Sequence, residues 1–222
     1  MSNNYLIIMP EITKGMKSLG SKSLLKINSK INILDQQIKL IKAINRRNKI
    51  YLSTGFQHSK IQKHIEQYTN VYTIYEKKFE DYNETKHLLN FMREFDEIKD
   101  VFIINNGILF KNNCFTKIKN SDSKIYILDK PKENFTIGCS SEESKYLFYE
   151  LPNRWSECIF LTRNVLEEID KLNKIKPLHN HFLFEVVNMI FEKYHIKQEI
   201  IPNKDIIKIN SLLDLKKAKR FL

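Results

Sequence analysis

Short apolar runs alternate with amphipathic segments along the first half of the chain. Apolar runs of about five residues predict buried strands, and apolar residues repeated every three or four positions predict helices. The predicted strands cover residues 5–9, 49–53, 71–75 and 101–104, and the predicted helices cover residues 31–47, 59–68 and 84–95. Strands and helices that alternate with short connections predict an α/β fold with a mostly parallel sheet.

The pattern changes in the second half of the chain. Predicted strands at residues 124–128, 145–151 and 157–162 are separated by polar turns, which indicates a small antiparallel excursion. The remaining predicted elements are helices at residues 163–172, 180–194 and 212–221 and strands at residues 199–201 and 206–209. Neither an internal repeat nor a low-complexity linker divides the sequence, so it predicts a single domain over residues 1–222.

The composition is that of a folded globular protein with an excess of positive charge. Of the 222 residues, 42% are apolar, and 37 Lys and Arg against 26 Asp and Glu give a formal net charge of +11. This charge favours anionic partners. The lysines are nevertheless scattered among Asn and Ile, as coding bias in an AT-rich genome would produce. The charge therefore does not by itself indicate nucleic-acid binding.

The sequence also lacks targeting signals. No apolar run approaches the roughly 18 residues that a membrane span requires, and the first nine residues have no basic segment typical of a signal peptide. The three cysteines are Cys114, Cys139 and Cys158, with no Cys-x-x-Cys pair. Unpaired cysteines at unrelated spacings predict reduced thiols, and hence a cytoplasmic protein.

Candidate chemistry lies in the loop after the first predicted strand. Residues 10–25 contain Lys14, Lys22 and two glycines, Gly15 and Gly20. Ligands of parallel α/β sheets bind at the carboxyl ends of strands, where ammonium and backbone N–H groups can hold phosphate. The spacing matches neither a Walker loop nor a dinucleotide fingerprint. An ordinary basic surface loop is therefore the alternative.

Five short segments carry a further pattern. They are SKSLLKI (residues 21–27), IYLSTGFQH (50–58), IYEKKFEDYNE (74–84), FIINNGILF (102–110) and IIKINSLLDLKKA (206–218). In this order they resemble motifs of the GT-A-fold nucleotidyltransferases. The resemblance is to sugar-1-phosphate nucleotidylyltransferases and, more closely, to bacterial choline-phosphate cytidylyltransferases.

The resemblance implies a fold and a division of the chain. The fold would be a three-layer α/β/α GT-A arrangement, which is Rossmann-like, with a mixed, mostly parallel sheet and a small antiparallel excursion. Residues 5–115 would form the nucleotide-binding half of one nucleotidyltransferase-like domain. Residues 116–178 would form an acceptor-side subregion, and residues 179–222 the closing strands and helix.

The resemblance also implies ligands and site residues. The ligands would be a nucleoside triphosphate, with CTP favoured, Mg²⁺, and phosphocholine or a sugar phosphate as acceptor. Lys22 would be the catalytic phosphate clamp, and Lys14 and Gly15 would lie beside the phosphates. Asn83 and Asn106 would contact the nucleotide. The alternatives are a solvated loop lysine for Lys22 and a helix N-cap for Asn83.

Several positions depart from the family motifs. The glycine-rich signature after the first strand is replaced by residues 9–16 (MPEITKGM), in which Glu11 adds a negative charge where the triphosphate would lie. The first metal-binding Asp position falls at Asn106 or Gly107, and the second falls at Asn210. Because Mg²⁺ prefers charged oxygen ligands, the neutral amides of Asn106 and Asn210 predict a degenerate metal site.

Three nearby acidic residues could substitute for the missing carboxylates. Asp100 precedes its predicted strand, so we expect it at the opposite end of the sheet. Asp214 is expected to cap the last helix. Asp205 is the substitute that these arguments exclude least.

Three other side chains have two interpretations each. His58 follows a predicted strand and would either face the cleft or belong to an ordinary loop. Trp155 would either stack on a quaternary ammonium group or pack in the core. Cys139 lies in a turn-like segment, where no pattern marks it as a nucleophile.

Two classes of function therefore fit the sequence. The first is a nucleotidyltransferase-like protein that binds a nucleotide and is catalytically weak or inactive, because both metal-binding positions lack a carboxylate. If it is active, we expect an NTP-dependent, pyrophosphate-releasing enzyme. The alternative is a non-enzymatic structural or protein-interaction module on the same fold.

Overall fold

The structure is a computed structural model that describes residues 3–9, 19–94, 100–111, 114, 122–129, 137–139 and 146–221. Its strands are β1 (Asn4–Met9), β2 (Lys49–Thr54), β3 (Val71–Tyr75), β4 (Val101–Asn105), β5 (Ile108–Phe110), β6 (Lys124–Leu128), β7 (Ile137–Cys139), β8 (Phe148–Tyr149), β9 (Asn153–Leu161), β10 (Lys197–Ile201) and β11 (Ile206–Lys208). Its α-helices are α1 (Ile33–Ile44), α2 (His58–Ile65), α3 (Glu84–Glu94), α4 (Arg163–Ile175), α5 (Leu183–Phe191) and α6 (Leu212–Phe221).

The chain forms two compact units. The first unit comprises Met1–Glu80, Ile104–Ile118 and Lys204–Leu222, and the second comprises Asp81–Ile103 and Lys119–Asn203. The chain passes from the second unit to the first within β4. Compactness does not establish independent folding, so a single domain stays a prediction.

The first unit contains the strand–helix alternation that the sequence predicts. Its strand order is β4-β1-β2-β3, and β1–β2 and β2–β3 are parallel pairs. Every residue from position 5 to position 9 of β1 is buried, which fits a central strand. Helices α1 and α2 each follow one of these strands and present an apolar stripe to the interior.

A side-chain network fixes the start of α1. The Asn32 carboxamide oxygen accepts the Asp35 N–H at 2.7 Å, and the Asp35 carboxylate accepts the Asn32 N–H at 3.5 Å. The same carboxylate lies 2.6 Å from His64 Nε2 and accepts the Tyr68 hydroxyl at 2.6 Å. The Asn32–Asp35 pair is a capping box. The contacts of Asp35 with His64 and Tyr68 join α1 to α2 and to the turn after it.

The turn between β4 and β5 is built on Gly107. Its φ is 87°, in the left-handed region that side chains disfavour. β5 pairs antiparallel with β11, and the Ile209 N–H donates to the Gly107 carbonyl at 2.9 Å. A Cβ at this glycine would lie 2.9 Å from the Ile209 carbonyl oxygen. The strand that closes the first unit therefore leaves no room for a side chain here.

The second unit holds the predicted antiparallel excursion. Its strand order is β10-β6-β9-β4, with β6–β10 parallel and β6–β9 antiparallel. β7 pairs antiparallel with both β8 and the start of β9. Together the strands form a mixed, mostly parallel sheet, and the chain has the predicted α/β, Rossmann-like fold. Among the helices described, none has both the length and the apolar character needed to cross a bilayer.

Some boundaries differ from the sequence prediction. β5 and β7 were not predicted, β8 covers only Phe148–Tyr149 of the predicted 145–151, and α5 covers Leu183–Phe191 of the predicted 180–194. β9 begins at position 153, four residues before the predicted start. Its polar beginning pairs with β7, and its register with β6 shifts near Glu157, whose φ is 61°. Because of this irregularity, the first residues of β9 do not continue the two-residue alternation of apolar and polar positions from which its start was predicted.

We expect Asn32→Ala to lower the free energy of unfolding by about 1 kcal/mol, because it removes the N-cap of α1. Chemical denaturation measures this loss. Lys39→Ala, on the exposed face of the same helix, is the control and is expected to change stability by less than about 0.5 kcal/mol. Equal effects of the two substitutions would contradict the role of the cap.

We expect Gly107→Ala to cost about 1–3 kcal/mol, because it combines a left-handed φ with a clash against backbone. Gly20→Ala is the matched control, since Gly20 has a φ of 86° but its Cβ would meet only the flexible Gln57 side chain, at 3.1 Å. Denaturation of both variants isolates the backbone clash. A loss at Gly107 no larger than at Gly20 would contradict this description of the turn.

Candidate functional site

Lys22 begins a short 3₁₀ turn, Lys22–Leu24, that packs in the first unit. The side chain is only 9% exposed, and Ser21 and Ser23 beside it are also buried. Ser23 Oγ lies 3.7 Å from Met9 Sδ at the end of β1, and the Ser21 N–H donates to Gln57 Oε1 at 3.1 Å. The segment is therefore anchored near the carboxyl ends of β1 and β2. A buried, anchored position rules out the solvated loop lysine as a description of Lys22.

The Lys22 amine packs directly on the Gly107 turn. A Cβ added to Gly107 would lie 3.1 Å from Lys22 Cε and 3.2 Å from Nζ. The ammonium group thus occupies space that a side chain at position 107 would need. It brings a positive charge to the carboxyl end of β4, where ligands of such sheets bind.

Asn106 lies in this turn, and Asn210 follows the residue that bonds to it. The β5–β11 ladder pairs Ile108 with Lys208, and the bond from Ile209 N–H to the Gly107 carbonyl extends this register toward Asn106 and Asn210. Asn106 is 8% exposed, and its N–H donates to the Ile8 carbonyl at 2.9 Å. Its Oδ1 is buried and accepts no hydrogen bond from the part of the chain that is described. Asn210 is exposed.

Two described carboxylates that sequence analysis considered, those of Asp205 and Asp214, have other partners. Asp214 Oδ2 accepts the Ser211 hydroxyl at 2.7 Å and the Asn210 N–H at 3.2 Å, and the Asp214 N–H donates to Ser211 Oγ. The predicted capping role of Asp214 at α6 is confirmed. Asp205 Oδ1 lies 3.4 Å from Lys111 Nζ. Within the described ranges, no three His, Cys, Asp or Glu side chains form a cluster that could hold a metal.

The remaining predicted site residues are placed differently. Asn83 belongs to the second unit, where its Nδ2 donates to the Asn180 carbonyl at 2.5 Å and its own carbonyl accepts the Lys86 N–H at 3.1 Å at the start of α3. Its proposed contact with a nucleotide stays a prediction. Lys14 and Gly15 lie outside the described residues.

The other candidate side chains have local structural roles. His58 stacks on Tyr75 with ring centroids 4.3 Å apart, its Nδ1 lies 2.8 Å from Thr54 Oγ1, and burial lowers its pKa. Trp155 is 5% exposed and donates to the Cys158 carbonyl, so the core interpretation is confirmed. Burial raises the pKa of the Cys139 thiol to about 11, which disfavours a reactive thiolate.

Gln57 supports the segment that carries Lys22, and sequence analysis did not identify this role. Its φ is 56°, although it is neither Gly nor Asn, and its side chain holds the segment that carries Lys22. Left-handed residues are usually recognised as Gly or Asn, so no sequence signal marked this position.

Solved structures share this fold over nearly the whole chain. CTP:phosphocholine cytidylyltransferase from Streptococcus pneumoniae aligns with a TM-score of 0.82 and 16% identity, covering 99% of each chain. The inositol-1-phosphate CTP transferase from T. maritima aligns with a TM-score of 0.80 and 10% identity, covering 99% of this chain and 94% of that one. A nucleoside-diphosphate-sugar pyrophosphorylase from Vibrio cholerae RC9 aligns with a TM-score of 0.75 and 10% identity, covering 97% and 99%.

Comparison by sequence gives no match, whereas comparison by structure does. No protein-family model and no curated protein matches the chain. At identities of 10 to 16%, the structural likenesses establish the fold. The resemblance that the five motifs predicted is thereby confirmed at that level: the chain has the α/β fold of the nucleotidyltransferases.

Proposed function

We propose that this chain is a nucleotidyltransferase-like protein that binds a nucleoside triphosphate, with CTP favoured, and transfers the nucleotide weakly or not at all. The acceptor would be phosphocholine or a sugar phosphate. The observation that carries the proposal is the buried Lys22 amine at the Gly107 turn. A cation held at the carboxyl end of a parallel sheet is suited to binding phosphate. Two of the structural neighbours act on CTP and a phosphorylated alcohol, which supports the choice of ligands.

The residues that the structure describes around this turn do not fit a Mg²⁺ site. Mg²⁺ requires hard oxygen ligands, which are usually carboxylates. Here the turn offers the neutral amides of Asn106 and Asn210. Asp214 caps a helix and Asp205 pairs with Lys111. We therefore derive no catalytic step through a metal ion.

The missing carboxylates explain why weak or absent turnover is expected. Nucleotide transfer builds negative charge on the phosphorus oxygens, which such enzymes stabilise electrostatically. Losing one stabilising group of this kind typically costs about a hundredfold to a thousandfold in rate. Lys22 supplies one positive charge, which favours phosphate binding but replaces only part of that stabilisation.

The alternative function is a protein-interaction module, and one feature of the second unit favours it. Tyr146, Phe148, Tyr149 and Phe182 are each 37 to 57% exposed. Ring contacts link Tyr146 to Phe148, with centroids 6.1 Å apart. Exposed aromatic patches of this kind mark interaction surfaces.

The three free cysteines support the proposed cytoplasmic location.

A nucleotide panel tests the proposed function. We expect CTP to raise the melting temperature more than UTP, GTP, ATP or dTTP, and a hundredfold excess over Kd corresponds to about 2.7 kcal/mol of stabilisation. Pyrophosphate release with phosphocholine or glucose 1-phosphate should be slow or undetectable. Cytidine, which lacks phosphates, is the matched control and should give no shift.

No shift with any nucleotide would contradict nucleotide binding and leave the interaction module. Rapid pyrophosphate release with either acceptor would instead contradict the weak or inactive assignment.

A further inference from the structure

The backbone at the Gly107 turn excludes a metal-binding carboxylate at position 107. Gly107 has a φ of 87°, and a Cβ there would lie 2.9 Å from the Ile209 carbonyl oxygen. Contacts below 3.0 Å force a shift, and here the contacting atom belongs to the backbone of the strand segment that closes the unit. An acidic side chain at this position would therefore require the turn to be rebuilt.

Lys22 fills the space that such a side chain would use. Its Cε and Nζ are the other atoms nearest to the absent Cβ, at 3.1 and 3.2 Å. The side chain is 91% buried, since its exposed fraction is 9%. If the Asp of the family motif falls at position 107 and not at position 106, a cation of the protein stands where that motif would provide an anion for a metal.

We propose that Lys22 takes the place of a divalent ion, so that the site binds a triphosphate without any metal held by the protein. This inference rests on the proposed nucleotide binding and specifies its chemistry. The ligand class is a metal-free polyphosphate, such as the triphosphate of CTP. Among the described residues, a metal held at the same turn would face the ammonium charge and the neutral amides of Asn106 and Asn210, which disfavours it electrostatically.

Asn106 provides a second, independent observation. It is 8% exposed, and its buried Oδ1 accepts no hydrogen bond from the described residues. Buried carbonyl oxygens are normally paired, and an unpaired one costs stability. Asn106 precedes Gly107, so this unsatisfied acceptor and the Lys22 amine belong to the same turn, and a donor group of a ligand bound there would satisfy it.

Electrostatics predicts whether Mg²⁺ weakens or strengthens the binding of a triphosphate. Mg²⁺ coordinated to a triphosphate cancels part of its negative charge and weakens its attraction to Lys22. In an ordinary metal-dependent site the ion instead bridges the phosphates to protein carboxylates and strengthens binding. The two kinds of site therefore respond to EDTA in opposite directions.

Isothermal titration calorimetry with CTP and with inorganic tripolyphosphate, each in EDTA and in excess MgCl₂, tests the proposal. We expect the Kd in EDTA to be equal to or lower than the Kd in Mg²⁺. Lys22→Met, which keeps an apolar stem, should weaken binding roughly tenfold to a hundredfold. Lys26→Met is the matched control, since Lys26 is an exposed lysine of the same segment, and should leave Kd unchanged.

Asn106→Asp is a second variant that does not depend on removing Lys22. The new carboxylate should repel a metal-free triphosphate and weaken CTP binding in EDTA at least several-fold, and Mg²⁺ should restore part of it. Asn28→Asp is its control, because Asn28 is exposed and its side-chain oxygen accepts two backbone N–H bonds that Asp can also accept. Melting temperatures confirm that each variant is folded.

The outcomes separate the two proposals. A Kd at least tenfold lower in Mg²⁺ than in EDTA would overturn metal-free binding and leave nucleotide binding intact. Unchanged binding by Lys22→Met would also overturn the role of Lys22. No binding of either probe in either condition, together with no shift in the nucleotide panel, would overturn both proposals.

Discussion

The contact between Lys22 and the Gly107 turn is the constraint on which the proposed site depends. The segment after β11 bonds to the turn through Ile209 N–H and the Gly107 carbonyl, and the end of the Lys22 side chain packs where a side chain at Gly107 would lie. Burial fixes the ammonium group, since a side chain that is 9% exposed has few alternative rotamers. The chemistry of the site follows from this packing. On our proposal, this cation, placed among the described residues next to neutral amides, attracts phosphate and disfavours a divalent ion.

The structural likenesses explain how such a change is tolerated. The chain keeps 97 to 99% coverage against the solved nucleotidyltransferase structures at only 10 to 16% identity. The fold requires apolar residues in the buried strands and on one face of each helix. Many sequences satisfy that requirement. The turns that follow the strands are less constrained by this requirement, so their residues can differ among proteins that share the fold.

Most of the fold could be predicted because its strands are short apolar runs and its helices carry clear stripes. β5 was missed because Asn105, Asn106 and Gly107 separate its three apolar residues from β4. The start of β9 was placed four residues too late because an irregularity near Glu157 breaks its alternation. For the site, motif order identified Lys22, Asn106 and Asn210 as candidates. The structure places Lys22 against the Asn106–Gly107 turn and Asn210 directly after Ile209, which bonds to that turn, and their roles stay predictions. The sequence could not reveal that Gly107 has a positive φ or that Lys22 packs against it, because both depend on the distant strand β11.

Diffraction from crystals grown with CTP and MnCl₂, recorded at the manganese absorption edge, tests the central claim most directly. The anomalous signal locates any Mn²⁺ without reference to the protein atoms. The account predicts triphosphate density within hydrogen-bond distance of Lys22 Nζ, and no Mn²⁺ coordinated by the side chains of Asn106 and Asn210. An anomalous peak held between those two amide oxygens, with Lys22 turned away from the phosphates, would contradict it.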